Sequence, residues 1–218
     1  MRLGAPVVYG GFTSNVDMKT GAPAFGTPEN TRANMAGGQL ARFYNLPYRT
    51  SACSASNAAD AQAVWETQMA LWGAVTGHGN LVYHAAGWGE GGLVADFEKL
   101  VIDCEMLQAM AAMLRPVSFD TANFGFSAHN EVDPGEHFFG TAHTMERYQD
   151  AFYAPFLSDW SNHDNRRDAG SKTATTRAMA LWPRMLDAYT PPPMDAGRIE
   201  KMQAYIVHRK EQIGSDTP

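Results

Sequence analysis

Residues 80–114 read NLVYHAAGWGEGGLVADFEKLVIDCEMLQAMAAML, and this stretch decides the fold class. Asn80 to Ala86 is a short apolar run bounded by turn residues, the pattern of a buried strand. A glycine-rich connection follows. Asp96 then stands where a helix needs a capping carboxylate, ahead of Phe97, Leu100, Val101, Cys104, Leu107, Ala111 and Leu114. Those seven recur at i, i+3 and i+4, so they form one apolar stripe on a helix. A strand, a loop and a helix in that order make one βα unit.

The same rhythm runs upstream. Pro6 to Phe12 (PVVYGGF) reads as a buried strand, followed by a loop rich in Gly, Thr, Asn and Pro. Thr27-Pro28-Glu29 supplies a capping hydroxyl, a proline at the first helical position and a first-turn carboxylate, predicting a helix to about Tyr44. Its interior Gly37-Gly38 pair costs about 1 kcal/mol per glycine relative to alanine, which a close backbone approach to a neighbour would explain. Tyr48 to Ala52 is a second strand. Asn57 is placed to cap a helix with Ala61, Val64, Trp65, Trp72 and Val75 on one face. Downstream, Val117 to Phe124 reads as a fourth strand. The rhythm then gives way to a Gly/His/Phe-rich loop, helices near 144–151 and 168–189, a break at Pro191-Pro192-Pro193, and a last amphipathic helix.

Strands alternating with helices at this spacing imply parallel βα units with right-handed crossovers. Gly87-Trp88-Gly89-Glu90-Gly91-Gly92 lacks the GxGxxG spacing and acidic ribose partner of a dinucleotide site. A piece of a (β/α)8 barrel fits better, and four βα units are about half of a barrel of about 250 residues. We therefore expect four units of a partial TIM barrel over 1–165 and a helical extension over 166–218.

Composition narrows the function. The 218 residues carry a net charge of −6 with no Lys/Arg stripe, which gives nucleic-acid binding no support. No apolar run approaches a membrane span, and Met1-Arg2-Leu3-Gly4-Ala5-Pro6 is no signal peptide. Two cysteines without metal-ligand spacing, Cys53 and Cys104, suit a reduced cytoplasmic protein.

In parallel α/β folds chemistry gathers past the C-terminal ends of the strands. That rule selects Phe12, Asn15 and Asp17; Arg49, Ser51, Ser54 and Asn57; Tyr83, His84, Trp88 and Glu90; and Asn123, His129 and Glu131. The set is aromatic and polar, suited to a small cationic or zwitterionic ligand. Aromatic faces attract quaternary ammonium groups, Asp17 or Glu90 would balance the charge, and Arg49 would hold a carboxylate in a bidentate pair. We expect Asp17, Glu90 and Trp88 to line one cavity with Tyr9 and His84. Each has a plainer reading: Tyr9 and Tyr83 as core filling, His84 as a hydrogen-bonded core histidine, Asp17 as the organiser of its own loop. Trp88 has no periodic packing reason in its glycine-rich loop. His137 and His143 lie six apart rather than i, i+4, so a loop over the site is preferred to a metal centre with His129 and Glu131. Ser51, Ser54 and Ser56 lack the GxSxG turn of a hydrolase nucleophile.

Four stretches, VVYGGFTSNVDMKTGAPAFGTPE, ASNAADAQAVWE, NLVYHAAGWGEGGL with FEKLVIDCEMLQ, and GEHFFGTAHT, together resemble the trimethylamine methyltransferase family from about residue 4 to the C-terminus. The resemblance implies a TIM barrel of roughly twice this length, of which this is the C-terminal half. It implies methyl transfer, of the kind used in methanogenesis, from a methylated amine to the cobalt of a corrinoid (cobalamin) on a separate protein. Glycine betaine methyltransferases belong to the same family. Position past the strand ends and side-chain chemistry, rather than the resemblance, give Asp17, His84 and Glu90 as catalytic candidates, and Tyr9, Phe12, Arg49, Tyr83, Trp88, His129, Glu131 and His137 as substrate-binding candidates. No DxHxxG cobalt-ligand run occurs, in keeping with a corrinoid held by a partner and no cofactor or metal on this chain. No pyrrolysine occurs either. A quaternary amine leaves as a neutral tertiary amine and needs no such activation, so a betaine is the expected donor. Further expected partners are the missing N-terminal half or a second copy. The competing functions are a non-catalytic remnant or interaction subunit, and an unrelated TIM-barrel enzyme.

Overall fold

The computed structural model describes residues 4–214. Its centre is a parallel sheet ordered β1–β4–β5, with β1 at Tyr9–Gly10, β4 at Tyr48–Ser51 and β5 at Leu81–Tyr83. Between β1 and the first helix lies a small antiparallel hairpin, β2 (Asn15–Val16) and β3 (Pro23–Ala24), in what the sequence presents as loop. Helix α1 (Pro28–Phe43) starts where the cap residues place it: the Thr27 hydroxyl accepts the Asn30 N–H, and Tyr44 closes the other end. Helix α2 (Ala61–Thr76) is capped by Asp60 rather than Asn57.

After β5 comes a second antiparallel hairpin, β6 (Trp88–Gly89) and β7 (Val94–Ala95), and then α3 (Phe97–Met113), capped by Asp96 as its spacing predicts. Residues 117–124 do not form a strand. They run as loop into α4 (Thr121–Phe124), followed by α5 (Phe126–Asn130) and α6 (Ala142–Arg147). A strand exists only where another segment satisfies its ladder, and the Asp120 carboxylate offers a local alternative by accepting the Asn123 N–H. The polar helix expected over 168–189 is α8 (Ala174–Asp187), starting later than expected and preceded by a separate short helix, α7 (His163–Asp168). Helix α9 (Ala196–Gly214) follows the three prolines. The described residues form two compact units, which divide between Pro183 and Arg184.

Register fixes the two faces of the sheet. Tyr9 pairs with Tyr48, Gly10 with Arg49, Arg49 with Leu81, Thr50 with Val82 and Ser51 with Tyr83. Partners across a sheet share a face, so Tyr9, Tyr48, Thr50 and Val82 look toward the helices, while Arg49, Ser51, Leu81 and Tyr83 look the other way. On the helix side Ala52, Ala70, Leu71 and Met110 form a buried core with Val75, Val82, Met106 and Leu107 against it. A second core joins Val101 and Ile102 of α3 to Leu157 and to Ala178 of α8.

Two helix faces differ from their sequence patterns. The buried side of α2 is Ala63, Thr67, Ala70 and Ala74, while Trp65 is 60% exposed. Small residues let α1 and α2 approach closely, and the large indole is left outside. Helix α3 buries Val101 as expected, but also Lys99, Ile102, Asp103, Glu105 and Met110, while Phe97, Leu100 and Leu114 stay exposed. Two polar anchors turn it. The Lys99 ammonium donates to Thr67 on α2, and the Glu105 carboxylate accepts the N–H groups of Phe156 and Leu157.

Candidate functional site

The C-terminal ends of the three parallel strands bring together residues from three βα units. His84 follows β5 at φ +62°, a left-handed conformation that costs a residue with a Cβ about 1–3 kcal/mol. Its Nδ1 lies 2.7 Å from the Ser51 hydroxyl at the end of β4, and that hydroxyl donates to the Cys53 sulfur at 3.6 Å. The imidazole lies against the Trp88 indole, with ring centres 3.9 Å apart, and receives Phe12 at 5.1 Å and Tyr83 at 5.7 Å. Behind Phe12 sits Phe25, 2% exposed, at 4.7 Å. The Arg49 guanidinium lies 4.3 Å over the Tyr83 ring. Burial, and then the Arg49 charge, hold the His84 imidazole below the ordinary histidine value, so it is neutral at pH 7.

The hairpin carrying Trp88 is seated on the loop after β4. Glu90 N–H donates to the Ser56 carbonyl at 2.7 Å and Gly91 N–H to the Ser54 carbonyl at 3.1 Å. The loop is itself held by Glu66 of α2, whose carboxylate accepts the Ala55 and Ser56 N–H groups, each at 2.9 Å. Asn57 falls beyond these contacts, beside Ser56 and Lys99.

Phe12, Arg49, Ser51, Tyr83, His84 and Trp88 therefore converge, and other candidates stand elsewhere. Tyr9 faces α1, packing on Tyr48 and lining a cavity with Ala33, Gly37 and Leu40. The Asp17 carboxylate accepts from the N–H of Lys19 and from the N–H and hydroxyl of Thr20, which hold it below the usual carboxylate value and tie it to its own exposed turn. Asn15 accepts the Thr27 hydroxyl. Glu90 is exposed at φ +49°, and its carboxylate makes no described bond. His129 packs on Phe138 and His137 on Phe139, while Glu131 accepts the Ala142 N–H at the start of α6. Asn123 belongs to the Asp120 turn. No described contact joins that group to the His84 cluster. Among the described residues no three His, Cys, Asp or Glu side chains are grouped to hold a metal ion, and no helix is long and apolar enough to cross a membrane.

Phe25 and Glu66 were not singled out from the sequence. Phe25 follows a loop with no periodicity, so nothing local marks it. Glu66 acts on backbone ten residues away, which only the folded chain reveals.

The trimethylamine methyltransferase (MTTB) family model matches residues 1–214. The chain belongs to that family. It is 34% identical over 214 residues to a glycine betaine methyltransferase of Desulfitobacterium hafniense (strain Y51), covering 98% of this chain and 44% of that protein. To the trimethylamine methyltransferase MttB of Desulfitobacterium hafniense (strain DSM 10664 / DCB-2) it is 27% identical, covering 97% of this chain and 42% of that one. To that of Methanosarcina barkeri (strain Fusaro) it is 30% identical, covering 93% and 41%. The chain thus spans less than half the length of these relatives. It has a mixed α/β fold around a parallel sheet.

Proposed function

We propose that this chain supplies the ammonium-binding wall of a methyltransferase acting on a quaternary, carboxylate-bearing amine such as glycine betaine, within a (β/α)8 barrel completed by further βα units or a second copy. The observation that carries the reading is the wall of Phe12, His84 and Trp88 beside Arg49, on the side of the sheet away from the helices.

The charges there choose among amines. Aromatic faces attract a quaternary ammonium by up to about 2 kcal/mol when water is excluded. A protonated imidazole would oppose that attraction, and the lowered His84 value favours the neutral ring instead. Arg49 repels a simple cation on the same face, but pairs with the carboxylate of a zwitterion. Trimethylamine is a cation at neutral pH and gains nothing from Arg49. A betaine satisfies both groups. Its leaving group departs as a neutral amine, so no general acid is required, and Asp17 and Glu90 are not needed as charge partners.

The methyl acceptor in this reading is a corrinoid carried by a separate protein, which supplies the cobalt nucleophile. The residues of this chain bind the donor, orient its N–methyl group and exclude water. Phe12 and Tyr83 are 47% and 44% exposed, which leaves the wall open to an approaching partner.

Glycine betaine and tetramethylammonium titrations of the purified chain, followed by NMR of the His84 and Trp88 resonances, test this. Trp88→Ala should weaken both ligands about tenfold or more. Arg49→Met should weaken the betaine by about tenfold and leave tetramethylammonium unchanged or tighter. Equal effects of Arg49→Met on both ligands, or wild-type affinity in Trp88→Ala, would refute the reading.

A further inference from the structure

The Trp88 ring owes its place against His84 to something outside the wall. Trp88 follows Gly87, which has φ +75°, and a Cβ there would also press on Leu100 at 3.2 Å. Both backbone groups of Gly87 are tied to α3. Its carbonyl accepts the Asp96 N–H at 3.1 Å, and its N–H donates to the Asp103 carboxylate at 2.9 Å. The same Asp103 oxygen takes the Lys99 ammonium one helical turn back, and Lys99 also donates to Thr67 on α2 at 2.8 Å. All three side chains are sealed from solvent: Asp103 and Thr67 at 0% exposure, Lys99 at 2%.

A buried ion pair is a poor choice if only α2–α3 cohesion were at stake. Removing two charges from water costs several kcal/mol each, and apolar residues of similar volume are often as stable or more so. The second Asp103 oxygen is buried with no partner in the described structure, a further cost. Burial pushes the Asp103 carboxyl up and the neighbouring Lys99 opposes it. What this pair does that Leu and Met would not is accept the Gly87 N–H. It thereby fixes the backbone from which Trp88 is presented.

We propose that Asp103, held in place by Lys99 and Thr67, is a positioning residue that locks the Gly87 turn and so keeps the Trp88 indole seated on His84. The inference rests on the proposed function for its consequence in binding, but the geometry it asserts is testable without ligand.

Two charge-free double substitutions separate positioning from packing. Lys99→Met with Asp103→Leu keeps an apolar α2–α3 contact and removes the acceptor. Lys99→Met with Asp103→Asn restores a carbonyl acceptor without charge. The readout is the NMR titration of His84 in the full chain, with His78, His129, His137, His143, His163 and His208 as internal controls. Trp88 contributes to shielding the imidazole from water, so its release should raise the His84 midpoint toward the ordinary histidine value. The groups facing that imidazole, Arg49 on β4, Tyr83 on β5 and Cys53 behind Ser51, are the same in both variants. The leucine variant should show the rise, and the asparagine variant should titrate like wild type. Folded variants with identical His84 midpoints would overturn the proposal.

Should the leucine variant not fold, native-state hydrogen exchange of the wild-type chain decides instead. The Gly87 amide should exchange as slowly as the core amides of α2 and α3. Exchange as fast as Leu93, on the exposed turn of the same hairpin, would overturn the proposal. Glycine betaine titration of the wild type keeps the two readings apart. A shifted His84 midpoint in the leucine variant with no betaine response in wild type supports the positioning role and removes the betaine reading.

Discussion

Replacing Gly38 by alanine sets helix propensity against packing, and the structure says which wins. In an isolated helix Gly→Ala gains about 1 kcal/mol. Here the new methyl would overlap the carbonyl oxygen of Gly77 at the end of α2. The obstacle is backbone at a helix–helix contact, so it cannot rotate away, and the cost lies near the upper end of the roughly 1–3 kcal/mol of overpacking. That carbonyl also accepts from the Arg42 guanidinium at 2.8 Å. Moving α1 away stretches this bond, which contributes about 1 kcal/mol because Arg42 is largely exposed. Gly38→Ala should therefore destabilise by about 3 kcal/mol, lowering the melting temperature by about 6–12 °C for a chain of this size. Urea unfolding by circular dichroism measures it. Ala36→Gly, on the exposed side of the same helix, isolates propensity and should cost about 1 kcal/mol. A Gly38→Ala protein as stable as wild type or more so would refute the close approach of α1 to α2.

Two further outcomes follow from side chains with many partners. Glu105, 7% exposed, accepts from the N–H groups of Phe156 and Leu157 at 3.0 and 2.9 Å and from the Tyr153 and Ser158 hydroxyls at 3.1 and 3.3 Å. Glu105→Ala leaves buried donors without an acceptor and should cost about 2–4 kcal/mol in urea unfolding, with Glu105→Gln recovering at least half; a loss below about 0.5 kcal/mol would mean that the 153–158 segment is not held by this carboxylate. His84 sets a pH dependence: its folded value is lowered, so as pH falls below about 6.5 the unfolded chain takes the proton first and stability declines until the folded imidazole is also protonated. Stability from this group is complete above about pH 6.5, and His84→Gln should flatten the fall of melting temperature between about pH 7 and pH 5; an unchanged slope would place the titration elsewhere.

What could be read along the chain is what short-range physics decides. The caps at Thr27 and Asp96 act within three residues of themselves, so α1 and α3 begin where the sequence places them. The three parallel strands lie inside the apolar runs that mark them, and the three prolines separate α8 from α9. The Gly37-Gly38 pair predicts a close approach, and Gly38 has it, against α2. The family is legible too, because its motifs are long contiguous strings.

Which face each element buries was decided only by its neighbours. Two helical stripes compete on α2, and the smaller one is buried because α1 lies close. Tyr9 and Arg49 stand on opposite faces through a parity that the mixed alternation of their strands does not reveal. Val117 to Phe124 has strand-like residues, but no strand ladder forms there in the folded chain. The site itself is the most tertiary feature of all. Phe12, Ser51, His84 and Trp88 come from three βα units, and Trp88 is further anchored by a carboxylate at position 103 through the Gly87 amide. Local sequence sets conformation over a few residues. Convergence over tens of residues follows from register and helix packing, which exist only once the sheet has formed.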